Sequence, residues 1–575
     1  MEKRWILLDA DEVVVSSLSK ALKVPPLLAR ILVHRGFNEA STARSFLFSS
    51  LSTDLPSPFL MADMDRAVER LVRALESKEL ICIWGDYDVD GTTGSSALVS
   101  FLREIGGSPM YYIPHRIDEG YGMNSQGLER LRDKGVKLVV SVDCGISNYQ
   151  EVEVAHSLGM DVVIVDHHEP PPALPPAVAV LNPHRVDCPF PDKGLSGAGL
   201  AFYLIIGLRA KLREIGWFSG EGAPDIRRHL DVITLGTIAD MVPLRGVNRA
   251  LVRRGLQELG TSTRPGILAL RQVAGIPAGA VGVGQVAFRL GPRINAAGRM
   301  DTALKVVEML TTESEEDANR IAQELDGNNR QRQEMEARVQ AEALEKIETN
   351  PNQRDRCSIV LGAEDWHPGV LGIVASRIVE RFHRPTVVIG LSDGEGKGSA
   401  RSIRGFHLVE GLRRCADLLE KFGGHEYAAG LSIKQEKLPL FTQRFEEVAQ
   451  SCLTSEDLVP VLEVDAKVEF AEIGLPVARQ LQLLQPFGIG NPEPILLTRG
   501  VEVSERKDFN GGARFRLRQG TRSMNAVVFG LDNDFPGHRG AKIDVVYRLG
   551  ENEWNGTTTA QLRIVDARLS EIVQQ

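Results

Sequence analysis

The feature that most constrains the fold is an alternation of apolar runs and helix-length segments between residues 79 and 183. The runs ELICIW, KLVVSV and MDVVIV have the length of strands, and TGSSALVSFLREIG and NYQEVEVAHSLG separate them. Continuous apolar strands joined by amphipathic helices are typical of β-α-β units in a parallel sheet that helices cover on both faces. The sequence therefore predicts an α/β fold with its ligand site beyond the carboxyl ends of the strands.

Acidic and imidazole side chains follow each of these strands. They are Asp86, Asp88 and Asp90 in GDYDVDG, Asp143 in SVDCG, Asp166, His167 and His168 in VDHHEP, and then Asp240 at the end of a helical segment. Extended backbone sends alternate side chains to one side, so we expect the three acids of GDYDVDG to converge. Clustered carboxylates repel one another unless a cation neutralises them, which predicts a site for two divalent ions.

A calcium loop is the competing interpretation of GDYDVDG, because an EF-hand begins with D-x-D-x-D-G. The twelfth position of that loop would be Ala97 instead of a glutamate, and a strand precedes the motif instead of a helix. Oxygen and imidazole ligands without thiolate favour manganese or magnesium. Two such ions can polarise a phosphoryl group and activate water, which indicates phosphoester hydrolysis.

The net charge of −9 conceals one basic segment. Residues 241–300 contain nine arginines and a single acid, Glu258. Because arginine and lysine drive binding to phosphates, this segment is a candidate phosphate-binding surface, and a solvated basic face is the alternative.

The rest of the chain predicts further domains. Residues 311–350 form a polar helical stretch with Ser314 as its cap, residues 357–452 form a second α/β region, and short strands after Val459 suggest a small β-barrel. We predict an N-terminal helical extension (1–60), a catalytic domain (61–305), a connector helix (306–350), a second α/β domain (351–455) and an OB-fold-like barrel (456–575).

The six cysteines have no C-x-x-C spacing, which favours free thiols in a reducing cytoplasm over disulfides or a zinc site. The sequence contains no run approaching the ~20 apolar residues that a membrane span needs. We therefore expect a cytoplasmic protein without a membrane partner.

The ordered motifs D-x-D-x-D-G, D-C-G, D-H-H and G-T-I-A-D resemble the DHH phosphoesterase superfamily. Further motifs resemble its RecJ family of exonucleases: HRIDEGYG, LSGAG, GPRINAAGRM, WHPGVLGIVASR, GKGSARS, FGGHEYAAG and PFGIGNPEP. This resemblance implies a DHH domain, a connector helix, a DHH-associated domain and an OB-like barrel. It also implies 5′ to 3′ hydrolysis of single-stranded DNA to mononucleotides with two manganese or magnesium ions, in DNA recombination and repair.

The resemblance assigns residues to these roles. The implied metal ligands are Asp86, Asp88, Asp90, Asp143, His167 and Asp240, with Asp143 as the bridge. The implied catalytic residues are His168, which would orient the phosphate, together with Asp143 and Asp166. The implied substrate contacts are Arg116, Arg289, Arg293, Asn295, Arg299, Ser399, Arg401, Gly423, Gly424 and His425. In the family an asparagine is common at the position of Cys144.

We expect a monomer, and the resemblance implies that it works with a single-strand-binding protein and recombination helicases. In the barrel, Phe509, Phe515, Phe529 and Trp554 are candidates either for base stacking or for the core. Two other functions remain open. One is hydrolysis of nano-RNA or cyclic dinucleotides, and the other is a replication scaffold without catalysis, although here every implied metal ligand is present.

Overall fold

The computed structural model describes residues 3–116, 118–218, 222–350, 356–530 and 535–570, without the side chain of Trp554. The chain divides into two compact units. One comprises Asn295–Thr302 and Gln323–Leu462 with the N-terminal residues up to Trp5; the other comprises Ile6–Ile294, Ala303–Ala322 and Glu463–Gln575.

The N-terminal part is helical after one short strand. Its elements are β1 (Arg4–Leu7), α1 (Glu12–Leu22), α2 (Pro26–His34) and α3 (Ala40–Leu47). Asp11 caps α1 by accepting a hydrogen bond from Val13 N at 2.8 Å.

The first α/β region confirms the predicted parallel sheet. Its elements are α4 (Met64–Glu76), β2 (Leu80–Gly85), α5 (Val89–Glu104), β3 (Pro109–Tyr112), α6 (Ser125–Asp133), β4 (Val136–Val142), α7 (Tyr149–Ser157), β5 (Asp161–Val165), β6 (Ala179–Leu181) and α8 (Gly197–Glu214). The five strands are parallel in the order β3-β2-β4-β5-β6. The chain reverses its direction of winding between β2 and β4, and ligands bind at such switch points.

Helices extend this region. They are α9 (Leu230–Ala239), α10 (Gly246–Thr261), α11 (Pro265–Val273), α12 (Val283–Gln285), α13 (Gly291–Met300) and α14 (Leu304–Thr311). A π-helical turn at Val286–Leu290 joins α12 to α13. The predicted connector is α15 (Glu315–Glu348), and its cap is Ser314, whose Oγ accepts from Asp317 N at 3.2 Å.

The second α/β region has a mixed sheet. Its elements are β7 (Ile359–Glu364), α16 (Pro368–Phe382), β8 (Thr386–Ser392), β9 (Glu395–Arg401), α17 (Leu408–Arg413), β10 (Lys421–Gly424), β11 (Ala428–Lys434) and α18 (Leu438–Cys452). The strand order is β10-β11-β9-β8-β7, in which only β7 and β8 pair in parallel.

The C-terminal part forms the predicted barrel. Its elements are β12 (Val461–Val464), which pairs with β1, β13 (Ala466–Lys467), α19 (Leu475–Leu481), β14 (Leu496–Phe509), β15 (Gly512–Gln519), β16 (Arg522–Phe529), β17 (Lys542–Trp554) and β18 (Thr557–Leu569). Pairing of β14 with β17 closes the five strands β14-β15-β16-β18-β17 into a barrel. In the described residues, no helix combines the length and apolar character that spanning a membrane requires.

The N-terminal helices and the barrel share one hydrophobic core. Leu28, Leu32 and Phe46 belong to the same buried cluster as Phe515 and Tyr547. The N-terminal helices therefore cover part of the barrel core, a long-range contact that no local pattern in either segment indicates.

We predict that Leu32→Ala destabilises the barrel together with the N-terminal helices. Leu32 is fully buried in the shared core, so the cavity should lower the free energy of unfolding by about 2–5 kcal/mol. Urea denaturation measures this loss. The control Val13→Ala removes a side chain that is 78% exposed and should change the value by less than about 0.5 kcal/mol. Equal stability of the two variants would contradict the shared core.

Candidate metal centre

Three aspartates directly follow the ends of neighbouring strands. Asp86 N donates to Val142 O at 3.1 Å and Asp143 N donates to Val165 O at 2.9 Å, so both backbones continue the sheet ladder. Asp166 continues it in the same way after β5. Because parallel strands end at one edge, these side chains emerge together at the switch point of the sheet.

Asp88 and Asp90 reach the site by a route that differs from the prediction. We expected extended backbone through GDYDVDG, but the chain turns into α5 directly after Asp88. Asp88 Oδ1 caps this helix by accepting from Asp90 N at 2.8 Å and Gly91 N at 3.1 Å. The expected alternation therefore fails at Asp90, which lies in the helix, and N–H groups at helix starts hold Asp88 and Asp90 in place.

Asp90 is held by a second helix start. Its Oδ2 accepts from Gly197 N at 2.5 Å and its Oδ1 from Ala198 N at 3.1 Å, in the first turn of α8. These bonds fix a buried carboxylate in one orientation.

The acids and His167 form overlapping groups with the spacing of metal ligands. Atoms that lie within 4.8 Å of one another occur in three groups: Asp86, Asp88 and Asp143; Asp90, His167 and Asp240; and Asp143, His167 and His168. His167 Nε2 is 3.1 Å from Asp143 Oδ1 and 3.6 Å from Asp240 Oδ2. Asp143 thus belongs to two of the three groups and lies where a carboxylate could contact two cations.

The electrostatics of this cluster fit divalent cations. Asp86 Oδ1, Asp143 Oδ1 and Asp240 Oδ2 are buried without a hydrogen-bond partner. Burial, together with the charge of Asp88, raises the pKa values of Asp86 and Asp143 well above the usual range. Burial with the same charge raises the pKa of Asp90 to about 7. Such oxygens are stable as carboxylates only beside positive charge, which cations supply.

His167 and Asp240 complete the second group. Burial and the charges of Asp90 and Asp88 raise the pKa of Asp240 to about 9. Burial and the charge of His168 lower the pKa of His167 to about 4, so its imidazole is neutral near pH 7. Neutral imidazole is the form that ligates metals.

Asp166 lies behind His168 and belongs to none of the three groups. It accepts from His168 Nδ1 at 2.7 Å, from His168 N at 3.1 Å and from Ile146 N at 2.9 Å. Although burial opposes it, the bond and charge of His168 lower the pKa of Asp166. Burial would lower the pKa of His168, but the hydrogen bond and charge of Asp166 raise it above its usual value. Asp166 therefore orients a half-exposed imidazole.

Sequence reasoning missed three residues that shape the centre. A Cβ on Gly197 would lie 2.7 Å from Asp143 Cβ, and one on Gly236 would lie 2.7 Å from Asp90 Oδ1. Tyr121 donates its hydroxyl to Asp143 O at 3.1 Å and lies beside His168. All three occur in motifs quoted above (LSGAG, GTIAD and HRIDEGYG), so the signal was present but had no assigned role.

Arg116 is the predicted substrate residue whose charge acts on these acids. It is exposed, its guanidinium lies 5.1 Å from the centre of the Tyr87 ring, and its charge counteracts the rise in the pKa of Asp86.

Ser399 and Arg401 form a separate polar cluster in the second α/β region. Arg401 Nη1 donates to Ser399 Oγ at 3.2 Å, and burial lowers the pKa of Arg401. A Cβ on Gly372 of α16 would lie within 3.0 Å of both side chains. In the sheet, Ser399 pairs with Gly430, which pairs with Gly423.

The glycine-rich turn beyond β10 is exposed. Gly424 has φ +146° and its Cβ would meet Ala428 O at 2.3 Å, so this position needs glycine for the turn itself. A Cβ on Gly423 would meet nothing within 4 Å. His425 is exposed beside them and its backbone N donates to Ala428 O at 2.8 Å.

The prediction that the arginine-rich segment forms one phosphate-binding surface is wrong. Arg249 and Arg271 are buried and donate to backbone carbonyls, and Arg264 pairs with Asp231 at 3.2 Å. Burial inside helix packing explains why the positive charge of the segment does not form one exposed face.

The predicted substrate residues of this segment lie on its last helices. Arg289 is exposed and donates to Ala274 O and Gly275 O. Arg293 donates to Arg289 O at 2.6 Å, Arg299 donates to Gly369 O at 2.9 Å, and Asn295 is half-buried in α13.

The barrel presents an aromatic and basic groove. Phe509 and Phe529 form an edge-to-face pair at 5.9 Å, and Phe529 is 68% exposed, whereas Phe515 is only 4% exposed and belongs to the core. Arg514 and Arg516 line the same groove.

Comparisons with known proteins agree with this architecture. Residues 80–237 match the DHH family, N-terminal domain; residues 356–451 match the DHHA1 domain; and residues 464–566 match the RecJ OB domain. The fold and the acidic cluster thus define a DHH-type phosphoesterase.

Individual relatives show which family of these phosphoesterases the chain belongs to. The chain is 38% identical to "Single-stranded-DNA-specific exonuclease RecJ" of Bacillus subtilis, over 99% of this chain and 71% of that protein. It is 36% identical to the protein of the same name from Escherichia coli, over 94% and 96%. The crystal structure of RecJ in complex with Mn²⁺ from Thermus thermophilus superposes with a TM-score of 0.83 at 32% identity, covering 99% of this chain and 80% of that one. The chain belongs to the RecJ family.

We predict that Mn²⁺ raises the unfolding temperature of the wild type and has little effect on Asp143→Asn. Ligand binding stabilises the folded state by about 2.7 kcal/mol at a hundred times the dissociation constant, and the variant lacks a carboxylate shared by two of the groups. Without metal, Asp143→Asn should be at least as stable as the wild type, because one buried repelling charge is gone. Calorimetry in EDTA and in Mn²⁺ measures both effects. An equal Mn²⁺ response from the variant would argue against a metal role for Asp143.

Proposed function

We propose that the chain is a metal-dependent exonuclease that hydrolyses single-stranded DNA from its 5′ end to mononucleotides, in recombination and repair. The observation that carries this proposal is the pair of ligand groups joined through Asp143, in a chain of the RecJ family. When bound there, two manganese or magnesium ions would polarise the phosphoryl group, activate water and neutralise the leaving oxygen.

The side chains of the centre have separate roles in this proposal. Asp86, Asp88, Asp90, Asp143, His167 and Asp240 hold the cations. His168 faces the substrate and donates its Nδ1–H to Asp166, which raises the pKa of His168 against the effect of burial. In the protonated imidazole the Nε2–H can donate to a phosphate oxygen. Arg116 contacts phosphate beside these acids.

We assign recognition of the terminal phosphate to the second α/β region. Arg401 is the residue suited to it, because its planar guanidinium binds phosphate by two parallel hydrogen bonds and is already oriented by Ser399. Gly423, Gly424 and His425 present an exposed backbone turn that a nucleotide can approach.

The strand path is the remaining part of the proposal. Arg289 is exposed and would contact the DNA backbone, while Arg293, Asn295 and Arg299 would hold the helix along which the strand runs. Phe509 and Phe529 offer exposed rings on which bases can stack, beside Arg514. Phe515 is excluded from stacking by its burial.

Partners and location complete the proposal. We propose a monomer that acts in the cytoplasm beside a single-strand-binding protein and recombination helicases; the six free cysteines support a reducing environment. Hydrolysis of nano-RNA or cyclic dinucleotides is disfavoured, because it leaves the barrel without a role. A scaffold without catalysis is disfavoured by the complete acidic cluster.

We predict that Asp143→Ala abolishes cleavage while single-stranded DNA binding persists. Oligonucleotides labelled at either end, with and without Mn²⁺, test this together with polarity. The wild type should release the 5′ label first as a mononucleotide, and only with metal. The matched control Asp133→Ala changes a surface aspartate and should retain full activity. Activity of Asp143→Ala, or release of the 3′ label first, would refute the corresponding part of the proposal.

We predict that Arg401→Ala weakens the preference for a 5′-phosphorylated end over a 5′-hydroxyl end. Hydrogen bonds to charged groups contribute about 1.5–3 kcal/mol, which corresponds to about 10- to 100-fold in the ratio of kcat/KM for the two ends. Arg404→Ala, an exposed arginine three residues along the chain, serves as the control. Unchanged discrimination by Arg401→Ala would remove that residue from phosphate recognition.

A further inference from the structure

The motif PFGIGNPEP has no role in the proposed chemistry, yet its first part forms a compact turn. Residues 483–491, named the 483–491 segment below, contain this turn. Gly488 N donates to Asn491 O at 2.9 Å, and Asn491 N donates to Gly488 O at 3.0 Å. The fully buried Asn491 amide also donates to Leu484 O and Pro486 O, both at 2.7 Å. These hydrogen bonds give the segment one fixed shape.

The 483–491 segment binds the backbone that follows the metal-centre residue Asp240. Leu244 N donates to Ile489 O at 2.8 Å, and Arg245 Nε donates to Gly490 O at 2.5 Å. Leu244 and Arg245 lie in the short connection between α9, whose C-terminal cap is Asp240, and α10. The turn therefore fixes this connection by hydrogen bonds from both a backbone and a side-chain donor.

The packing at this contact leaves no room for side chains at two glycines. A Cβ on Gly488 would lie 2.7 Å from Leu244 Cδ1, and one on Gly490 would lie 3.2 Å from Pro243 Cβ. Gly490 also has φ +71°, where an L side chain is strained. Any side chain at Gly490 must push the connection that carries Pro243.

Arg249 of α10 also forms hydrogen bonds to the 483–491 segment. Its buried guanidinium donates to the carbonyls of Leu483, Leu484, Gln485 and Pro486 at 3.2, 3.0, 2.6 and 3.4 Å. No carboxylate is needed, because the carbonyl oxygens satisfy the buried charge. The 483–491 segment is thus bonded both to α10 and to the connection before it.

Asp240 Oδ2 lacks the backbone hydrogen bonds that hold Asp88 and Asp90. Backbone N–H groups orient Asp90, whereas Asp240 Oδ2 is buried without a hydrogen-bond partner. The position of this carboxylate is consequently set by the backbone at the end of α9, where Met241 has φ +62°.

We propose that the 483–491 segment positions Asp240 for metal binding. It is a positioning element that acts through Pro243–Arg245 and touches neither metal nor substrate. The inference rests on the proposed function, because it assigns Asp240 a cation to hold. Supporting groups behind a ligand typically contribute about 10- to 100-fold to metal affinity.

Isothermal titration with Mn²⁺ on the full chain tests this positioning role. Gly490→Ala should raise the Mn²⁺ dissociation constant about 10-fold or more. Arg245→Ala, which loses the hydrogen bond to Gly490 O and the contact with the Phe37 ring, should raise it about 3-fold. The matched control is Gly520→Ala, because Gly520 has φ +57° but no atom within 4 Å of a Cβ. Its dissociation constant should equal that of the wild type.

A double variant separates positioning from general loosening. In an Asp240→Asn background, Gly490→Ala should have no further effect on Mn²⁺ binding, since the ligand it positions is already lost. If Gly490→Ala and Arg245→Ala bind Mn²⁺ as tightly as Gly520→Ala and the wild type do, the inference is overturned and the proposed function still stands. Failure of the wild type to bind Mn²⁺ would overturn the proposed function and this inference with it.

Discussion

Mutual repulsion among buried carboxylates is the constraint to which the rest of this structure responds. Asp86, Asp90, Asp143 and Asp240 are drawn to one edge of a parallel sheet, and burial together with their neighbours' charges raises the pKa of each. Without bound cations, the protein would be more stable if these carboxylates lay farther apart. Their assembly is understandable only if cations complete the site, and the cluster thus sacrifices stability for chemistry.

The surrounding fold limits how far that repulsion can move the acids. Helix starts hold Asp88 and Asp90 by backbone N–H groups, and Gly197 lets α8 approach Asp143 closely. Asp240 Oδ2, like Asp86 Oδ1 and Asp143 Oδ1, has no such bond, and the position of Asp240 depends on the backbone at the end of α9. The 483–491 segment, which leads into the barrel, contacts the connection after α9 and could support that position.

Local patterns predicted the strands, the parallel sheet, the long helix and the closed barrel, because apolar periodicity reports burial along one segment. They did not predict how GDYDVDG brings its acids together, since helix formation after Asp88 overrides alternation. They also failed for Arg249, whose burial depends on carbonyls more than two hundred residues away in sequence, and for the core shared by Leu32 and Tyr547. Contacts between distant segments leave no periodic signal in either one.

Anomalous diffraction from crystals soaked in Mn²⁺ tests the central claim most directly, because it locates the cations independently of activity. We expect two peaks roughly 3.5–4 Å apart, with Asp143 between them and His167 bound to one. Peaks at unrelated surface carboxylates, or no peak beside Asp143 in crystals saturated with Mn²⁺, would contradict a metal pair held at the strand ends.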